Sequence, residues 1–335
     1  MTYSQADITV PYAVANFAEI RHKGYYYVDK TNYIPLLERY KAPVFLRPRR
    51  FGKSLLVSML AHYYDRNMAS QFKDLFGGTW IGEHPTNEHN QYLVVRYDFS
   101  TTSVASKKED IEKNFNAVNC SPLRTLVERN RDLFGDFRFR EDGNASNMLV
   151  EVCEFISSHN LPPLYILIDE YDNFTNQLLV VFKDSLYQDL TTGESFLRTF
   201  FKVIKAGIGE GTIRTCFCTG VLPVTMDDLT SGYNIAEMLT LKPEFTNLLG
   251  FTHEEAAQYL KYVINKYGPQ ASFEELWTLI LNNYDGYHFL PNAEPLFNST
   301  ILTYFLKNFA ELKGGIPTEM VDENLRTDTS WIRRL

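Results

Sequence analysis

Apolar residues along the chain follow two different rhythms. Short unbroken runs at Val44 to Leu46, Tyr92 to Phe99, Leu164 to Ile168, Thr215 to Cys218 and Met238 to Leu241 are too brief for helices. They are rich in β-branched or aromatic side chains, which predicts buried strands. Between them the spacing becomes helical: Ser54 to Tyr64 places Leu55, Leu56, Met59, Leu60 and Tyr63 on one face, and Ser195 to Lys205 repeats this with Phe196, Phe200, Phe201 and Ile204. Strands alternating with helices predict an α/β fold, a mainly parallel sheet flanked by helices.

After about residue 245 the pattern is helical only. Thr252 with Glu255, and Ser272 with Glu275, have the spacing of capping boxes and open helices, the first running to about Tyr267. Tyr284-Asp285-Gly286-Tyr287 reads as a turn with Gly286 at positive φ, and Phe297 to Phe309 as a further helix. The expected organisation is a P-loop ATPase domain over 1–245 and a smaller all-helical lid domain over 246–335. The closing Trp331-Ile332-Arg333-Arg334-Leu335 has apolar side chains and no later segment to cover them, which predicts truncation before a further C-terminal domain.

Composition narrows the class. With 44% apolar and 22% charged residues the 335-residue chain matches an average globular protein, so disorder is not indicated. No apolar run approaches the roughly 18 to 20 residues of a bilayer span. Met1 to Asp7 also lacks the basic and apolar regions of a signal peptide, so a cytoplasmic protein without a membrane partner is expected. The net charge of −8 argues against a surface built to coat nucleic acid. Cys120, Cys153, Cys216 and Cys218 have no zinc-ligand spacing; Cys216 and Cys218, two apart on a predicted strand, point to one side as small buried groups.

The densest basic stretch is Arg47-Pro48-Arg49-Arg50-Phe51-Gly52-Lys53-Ser54, between a predicted strand and a predicted helix. A phosphate loop of the Walker A kind needs backbone N–H groups around the phosphates, a lysine reaching the β and γ phosphates, and a hydroxyl on Mg²⁺. A bare Gly-Lys-Ser/Thr is expected by chance about 0.2 times in a chain of this length, so the strand and helix around it carry the inference. The pattern GxxxxGK[ST] calls for glycine where Arg47 stands, and a loop that packs without binding is the alternative. Against it, Arg47, Arg49 and Arg50 supply positive charge where a triphosphate supplies negative.

Leu164 to Ile168 ends in Asp169 and Glu170. An aspartate at such a strand end holds Mg²⁺ opposite the loop hydroxyl, the Walker B role, and an adjacent glutamate activates the attacking water. The strand Thr215 to Cys218 ends in Thr219, which either touches the γ-phosphate or the water, or merely closes a turn. A further strand, Tyr92 to Phe99, falls between the loop and Asp169, as in ATPases with a catalytic glutamate. Asn265-Lys266-Tyr267-Gly268 lacks the aspartate of a guanine-reading motif, so ATP is preferred over GTP.

Tyr27-Val28-Asp29-Lys30-Thr31, the Arg47 to Ser54 stretch, Ile168-Asp169-Glu170-Tyr171-Asp172, Thr219-Gly220-Val221, Ser231-Gly232-Tyr233-Asn234, Tyr284 to Phe289 and Asn298 occur in the order of the AAA-ATPase-like family of bacterial proteins, which this chain resembles from about residue 12 onward. The resemblance implies that arginine at position 47 is ordinary. It implies ATP and Mg²⁺ as cofactors, with Glu170, Lys53 and Thr219 catalytic and Ser54 and Asp169 on the metal. Arg47, Pro48, Arg49, Arg50, Phe51, Gly52, Lys53, Ser54 and Leu55 line the nucleotide. Tyr27 stacks on the base or has a structural role, and Asp29 and Lys30 cap a helix or pair with one another. Members often carry a C-terminal PD-(D/E)xK nuclease-like domain, the expected route to nucleic acid; Glu311-Leu312-Lys313 reads instead as a solvated helix end. The rival function is a nucleotide-binding regulatory module with negligible hydrolysis that positions a nuclease or protein partner. The oligomeric state is left open.

Overall fold

The computed structural model describes residues 8–102, 108–140, 143–173, 195–222 and 233–321; Ser231, Gly232 and the stretch Trp331 to Leu335 lie outside them. Five strands form one sheet: β1 (Pro43–Leu46), β2 (Leu93–Asp98), β3 (Leu164–Asp169), β4 (Ile213–Gly220) and β5 (Glu237–Met238). The longer helices are α1 (Phe17–His22), α2 (Lys53–Tyr64), α3 (Lys108–Arg129), α4 (Ala145–His159), α5 (Phe196–Glu210), α6 (His253–Tyr267), α7 (Phe273–Tyr284) and α8 (Ser299–Glu311). Four of the five apolar runs lie within or largely overlap strands; the run Met238 to Leu241 instead meets the sheet only at Met238, in a two-residue exposed edge strand, and Leu241 is exposed.

Two compact units divide the chain, one of 32–48 and 59–240, the other of 1–31, 49–58 and 241–335. This differs from a single cut after residue 245: the N-terminal segment and residues 49–58 join the helical part.

In the sheet unit all strand pairs are parallel and the order is β2-β3-β4-β1-β5. Every residue of β1 and β3 is buried, as central strands covered on both faces require. β2, at the edge, alternates, with Leu93, Val95 and Tyr97 buried and Arg96 exposed. Its buried face meets α5 through an aromatic edge, Tyr97 on Phe200 at 5.3 Å, and Phe115 of α3 packs on the same Phe200 ring at 5.6 Å. Phe200 is fully buried, so truncating it to alanine costs roughly 3–5 kcal/mol. Ser195 caps α5 by accepting the Arg198 N–H, and Gly211 at φ 82° ends it in a left-handed turn that a side chain resists. Cys216 and Cys218 lie on one side of β4, both fully buried, with sulfurs 3.8 Å apart.

In the helical unit α6 starts at the expected capping box, the Thr252 hydroxyl accepting the Glu255 N–H and the Glu255 carboxylate accepting the Thr252 N–H. Ala256, Tyr259, Leu260, Val263 and Ile264 of α6 belong to one core with Leu276 and Ile280 of α7 and Phe305, Leu306 and Phe309 of α8. Ile8 and Val10 enter the same core, Tyr26 stacks on Tyr259 at 4.1 Å, and the Thr9 N–H donates to Tyr267 Oη at 2.7 Å. This burial explains why the N-terminal segment joins this unit. Among the described residues no helix is long and apolar enough to cross a membrane.

Candidate functional site

Parallel pairing sends all strands the same way, so their C-terminal ends share one sheet edge. The register places Phe45 beside Thr219, Leu46 beside Gly220, and Asp98 beside Asp169. β4 lies between β1 and β3. Thr219, Asp169 and the start of the 47–54 stretch therefore emerge at one edge, where open α/β sheets bind ligands.

Asp169 is 2% exposed, with Oδ2 at 3.6 Å from Nη2 of Arg96. Glu170 leaves the strand at φ 50°, a left-handed conformation that costs a non-glycine roughly 1–2 kcal/mol. Flanking hydrogen bonds hold it there: the Tyr171 N–H donates to Thr219 O at 3.1 Å and the Asn173 N–H to Glu170 O at 3.0 Å. The Glu170 carboxylate also accepts from Asn173 Nδ2 at 2.6 Å. Asp172 is buried and accepts the Val221 N–H at 3.1 Å and the Leu222 N–H at 2.7 Å, while the Tyr171 hydroxyl donates to Leu222 O at 2.7 Å. Gly220 fits beneath this clasp because a Cβ there would sit 2.3 Å from Asp172 Oδ1. Sequence reasoning gave Asp172, Asn173 and Arg96 no role; an acid two residues after Glu170 was the available signal for the first.

Thr219 is fully buried and its hydroxyl donates to Phe45 O at 2.9 Å, tying β4 to β1. Arg47, expected among the nucleotide-lining residues, is 1% exposed. Its guanidinium lies over the Phe45 ring at 4.5 Å and donates from Nη1 to Leu46 O at 3.0 Å and Thr240 O at 3.1 Å. Burial pushes its pKa down to about 10. Arg47 thus closes the ends of β1 and the Thr240 segment.

Residues 49–58 belong to the helical unit. Arg50 has φ 71° and Gly52 φ 93°, and α2 begins at Lys53. Four successive carbonyls of this turn are taken. Arg49 O accepts from Asn298 Nδ2 at 3.1 Å, and Arg50 O from the Thr300 hydroxyl at 2.7 Å and the Ser299 hydroxyl at 3.2 Å. Phe51 O accepts the Gly250 N–H at 3.3 Å, and Gly52 O the Leu56 N–H at 3.0 Å. In a planar trans peptide the N–H points opposite to the C=O, so each amide of residues 50–53 points away from the donor that holds the carbonyl of its own peptide. Consecutive amides at a helix N-terminus form an anion-binding concavity.

Phe51 is buried, with its ring edge-on to Tyr287 at 4.9 Å and Phe289 at 5.5 Å. Lys53 is 5% exposed, Pro48, Ser54 and Leu55 are half-buried, and Arg49 and Arg50 are exposed. Tyr27 is half-buried edge-on against Phe17 at 5.3 Å, and burial raises its phenol pKa. Asp29 accepts the Thr31 N–H at 2.9 Å. Lys30 pairs with Glu255 rather than with Asp29, its Nζ at 2.6 and 2.7 Å from the Glu255 oxygens and 2.8 Å from Asn247 O. Among the described residues no group of three or more His, Cys, Asp or Glu side chains is placed to hold a metal ion. Each unit carries oxygen donors of the kind Mg²⁺ prefers: the Ser54 hydroxyl in one, the strand-end carboxylates Asp98 and Asp169 in the other.

A parallel α/β sheet of this order, with a Gly-Lys-Ser turn following β1 and a helical region after the sheet, defines a P-loop nucleoside-triphosphatase fold. The chain belongs to the AAA-ATPase-like family, described as "Predicted AAA-ATPase", whose model matches residues 11–230. A protein of Azotobacter chroococcum mcd 1, described as an uncharacterized protein in the vnfD 5' region, is 26% identical over 255 residues. That match spans 73% of this chain and 43% of the relative, so the chain accounts for less than half of that protein's length.

Proposed function

We propose that the chain binds ATP with Mg²⁺ and hydrolyses it, and that its nucleotide state governs an attached or partner effector. The observation that carries this reading is the run of four amides, residues 50–53, turned away from their anchored carbonyls at the N-terminus of α2. These amides and Lys53 take the β and γ phosphates, and the exposed Arg49 and Arg50 add charge. Ser54 and Asp169 are the residues that would hold Mg²⁺, which when bound neutralises phosphate charge. Glu170 accepts a proton from water as the water oxygen bonds to the γ-phosphorus and the bridging oxygen leaves with ADP. Thr219 and Arg47 support the sheet edge, and Tyr27 supports the N-terminal segment through Phe17.

A second reading, a nucleotide-binding regulatory module with negligible turnover, is favoured by one contact: Asn173 holds the Glu170 carboxylate at 2.6 Å. Glu170→Gln separates the two. For a hydrolase it abolishes Mg²⁺-dependent phosphate release and retains ATP binding; wild-type release no faster than that of the variant leaves the regulatory module.

A further inference from the structure

We propose that Asn298 and Thr300 are positioning residues of the phosphate loop, holding the peptides of residues 49–51 so that the following amides face an anion. The inference rests on the nucleotide-binding reading above. It makes the start of α8 part of the nucleotide site although it lies some 250 residues further along the chain.

Three observations converge on it. First, the loop contains a residue in a disfavoured conformation. Arg50 sits at φ 71°, a conformation that disfavours any residue with a Cβ and persists only where its surroundings fix it. The Arg50 carbonyl, on the same residue, accepts from the Thr300 hydroxyl at 2.7 Å, the Ser299 hydroxyl at 3.2 Å and the Thr300 N–H at 3.2 Å.

Second, Asn298 faces two ways. Its Oδ1 accepts the N–H groups of Thr300 and Ile301 at 3.1 and 3.3 Å, capping α8, while its Nδ2 donates to Arg49 O at 3.1 Å. The side chain is 3% exposed, so both ends are set by protein groups. Aspartate would keep the cap and lose the donor.

Third, the template is braced. Phe251 and Phe297 exchange backbone hydrogen bonds at 3.0 and 2.8 Å, and the Leu296 N–H donates to Tyr287 O at 3.0 Å. These bridges fix Gly250, Asn298 and Tyr287 around Phe51. Gly250, at φ 83°, disfavours a side chain, and a Cβ would lie a tight 3.0 Å from two atoms of the Phe51 ring.

The test measures Mg·ADP affinity by titration calorimetry for the wild-type chain, Asn298→Asp, Thr300→Val and Phe305→Leu, each with its melting temperature. Asn298→Asp and Thr300→Val are expected to weaken ADP about tenfold, the loss from one or two hydrogen bonds. Phe305→Leu, a core change in the same helix, lowers the melting temperature and leaves affinity at the wild-type value. Arg50→Gly supplies the second readout. Glycine adopts the positive φ unaided, so Asn298→Asp should cost less in that background than in wild type. Wild-type affinity in both Asn298→Asp and Thr300→Val overturns this inference alone, and an equal loss in the two backgrounds overturns its mechanism. Absence of ADP binding by wild type overturns the nucleotide reading and this inference with it.

Discussion

Glu170 and Asn173 are joined by a 2.6 Å hydrogen bond from the Asn173 amide to the Glu170 carboxylate. The bond occupies one lone pair of the carboxylate proposed to take a proton from water and fixes its orientation. Asn173→Ala is therefore expected to raise the rate of phosphate release several-fold without changing ATP affinity, while Glu170→Gln lowers it by roughly 10²-fold or more. Single-turnover phosphate release checks both.

Asp172 orders the turn after β4 by accepting two backbone amides from a buried position. Asp172→Ala leaves those donors without their acceptor and should lower unfolding stability by about 2–4 kcal/mol. Urea denaturation reads this directly, and an unchanged midpoint would mean that water replaces the carboxylate.

Arg47 separates a structural arginine from a phosphate-binding one. Its two carbonyl bonds and its place over Phe45 predict that Arg47→Ala lowers stability by roughly 2–4 kcal/mol. Its effect on ATP affinity should be smaller than that of Lys53→Ala. The reverse pattern would return Arg47 to the phosphates.

What the chain disclosed in advance was what short-range pattern controls. Four buried runs became strands, whereas Met238 to Leu241 gave only a short exposed edge; Thr252 and Glu255 formed their box, Gly286 took φ 129°, and the alternation placed Cys216 and Cys218 on one side. Pairings between distant residues were not readable. Asn298 meets Arg49 across 249 positions, and Arg47 meets Thr240 across 193, with no local periodicity to mark either. Arg47 reads as phosphate-binding from its charge, since sequence reports charge and not burial. The N-terminal segment was assigned with the sheet by order along the chain, whereas Ile8 and Val10 follow apolar burial into the helical core.

Glu38 gives a pH signature. Burial raises its carboxyl pKa above 4.5, opposed by hydrogen bonds from Thr86 at 2.7 Å and Tyr64 at 3.3 Å. The folded protein therefore binds more protons than the unfolded chain between 4.5 and the raised value. The stability due to Glu38 is present below that window and lost as pH rises through it. Glu38→Gln lacks this dependence, so the stability of wild type relative to the variant should fall as pH rises from 4.5 and then level off. Denaturation series on both proteins check the sign.

The central claim is that the turn from Arg49 to Ser54 binds the phosphates of ATP. Titration of Mg·ATP into wild type and Lys53→Ala tests it most directly. The account predicts saturable one-site binding to wild type, weakened about 10- to 100-fold in the variant by loss of a charge-assisted contact. Equal affinity of the two proteins, or no binding by wild type, would contradict it.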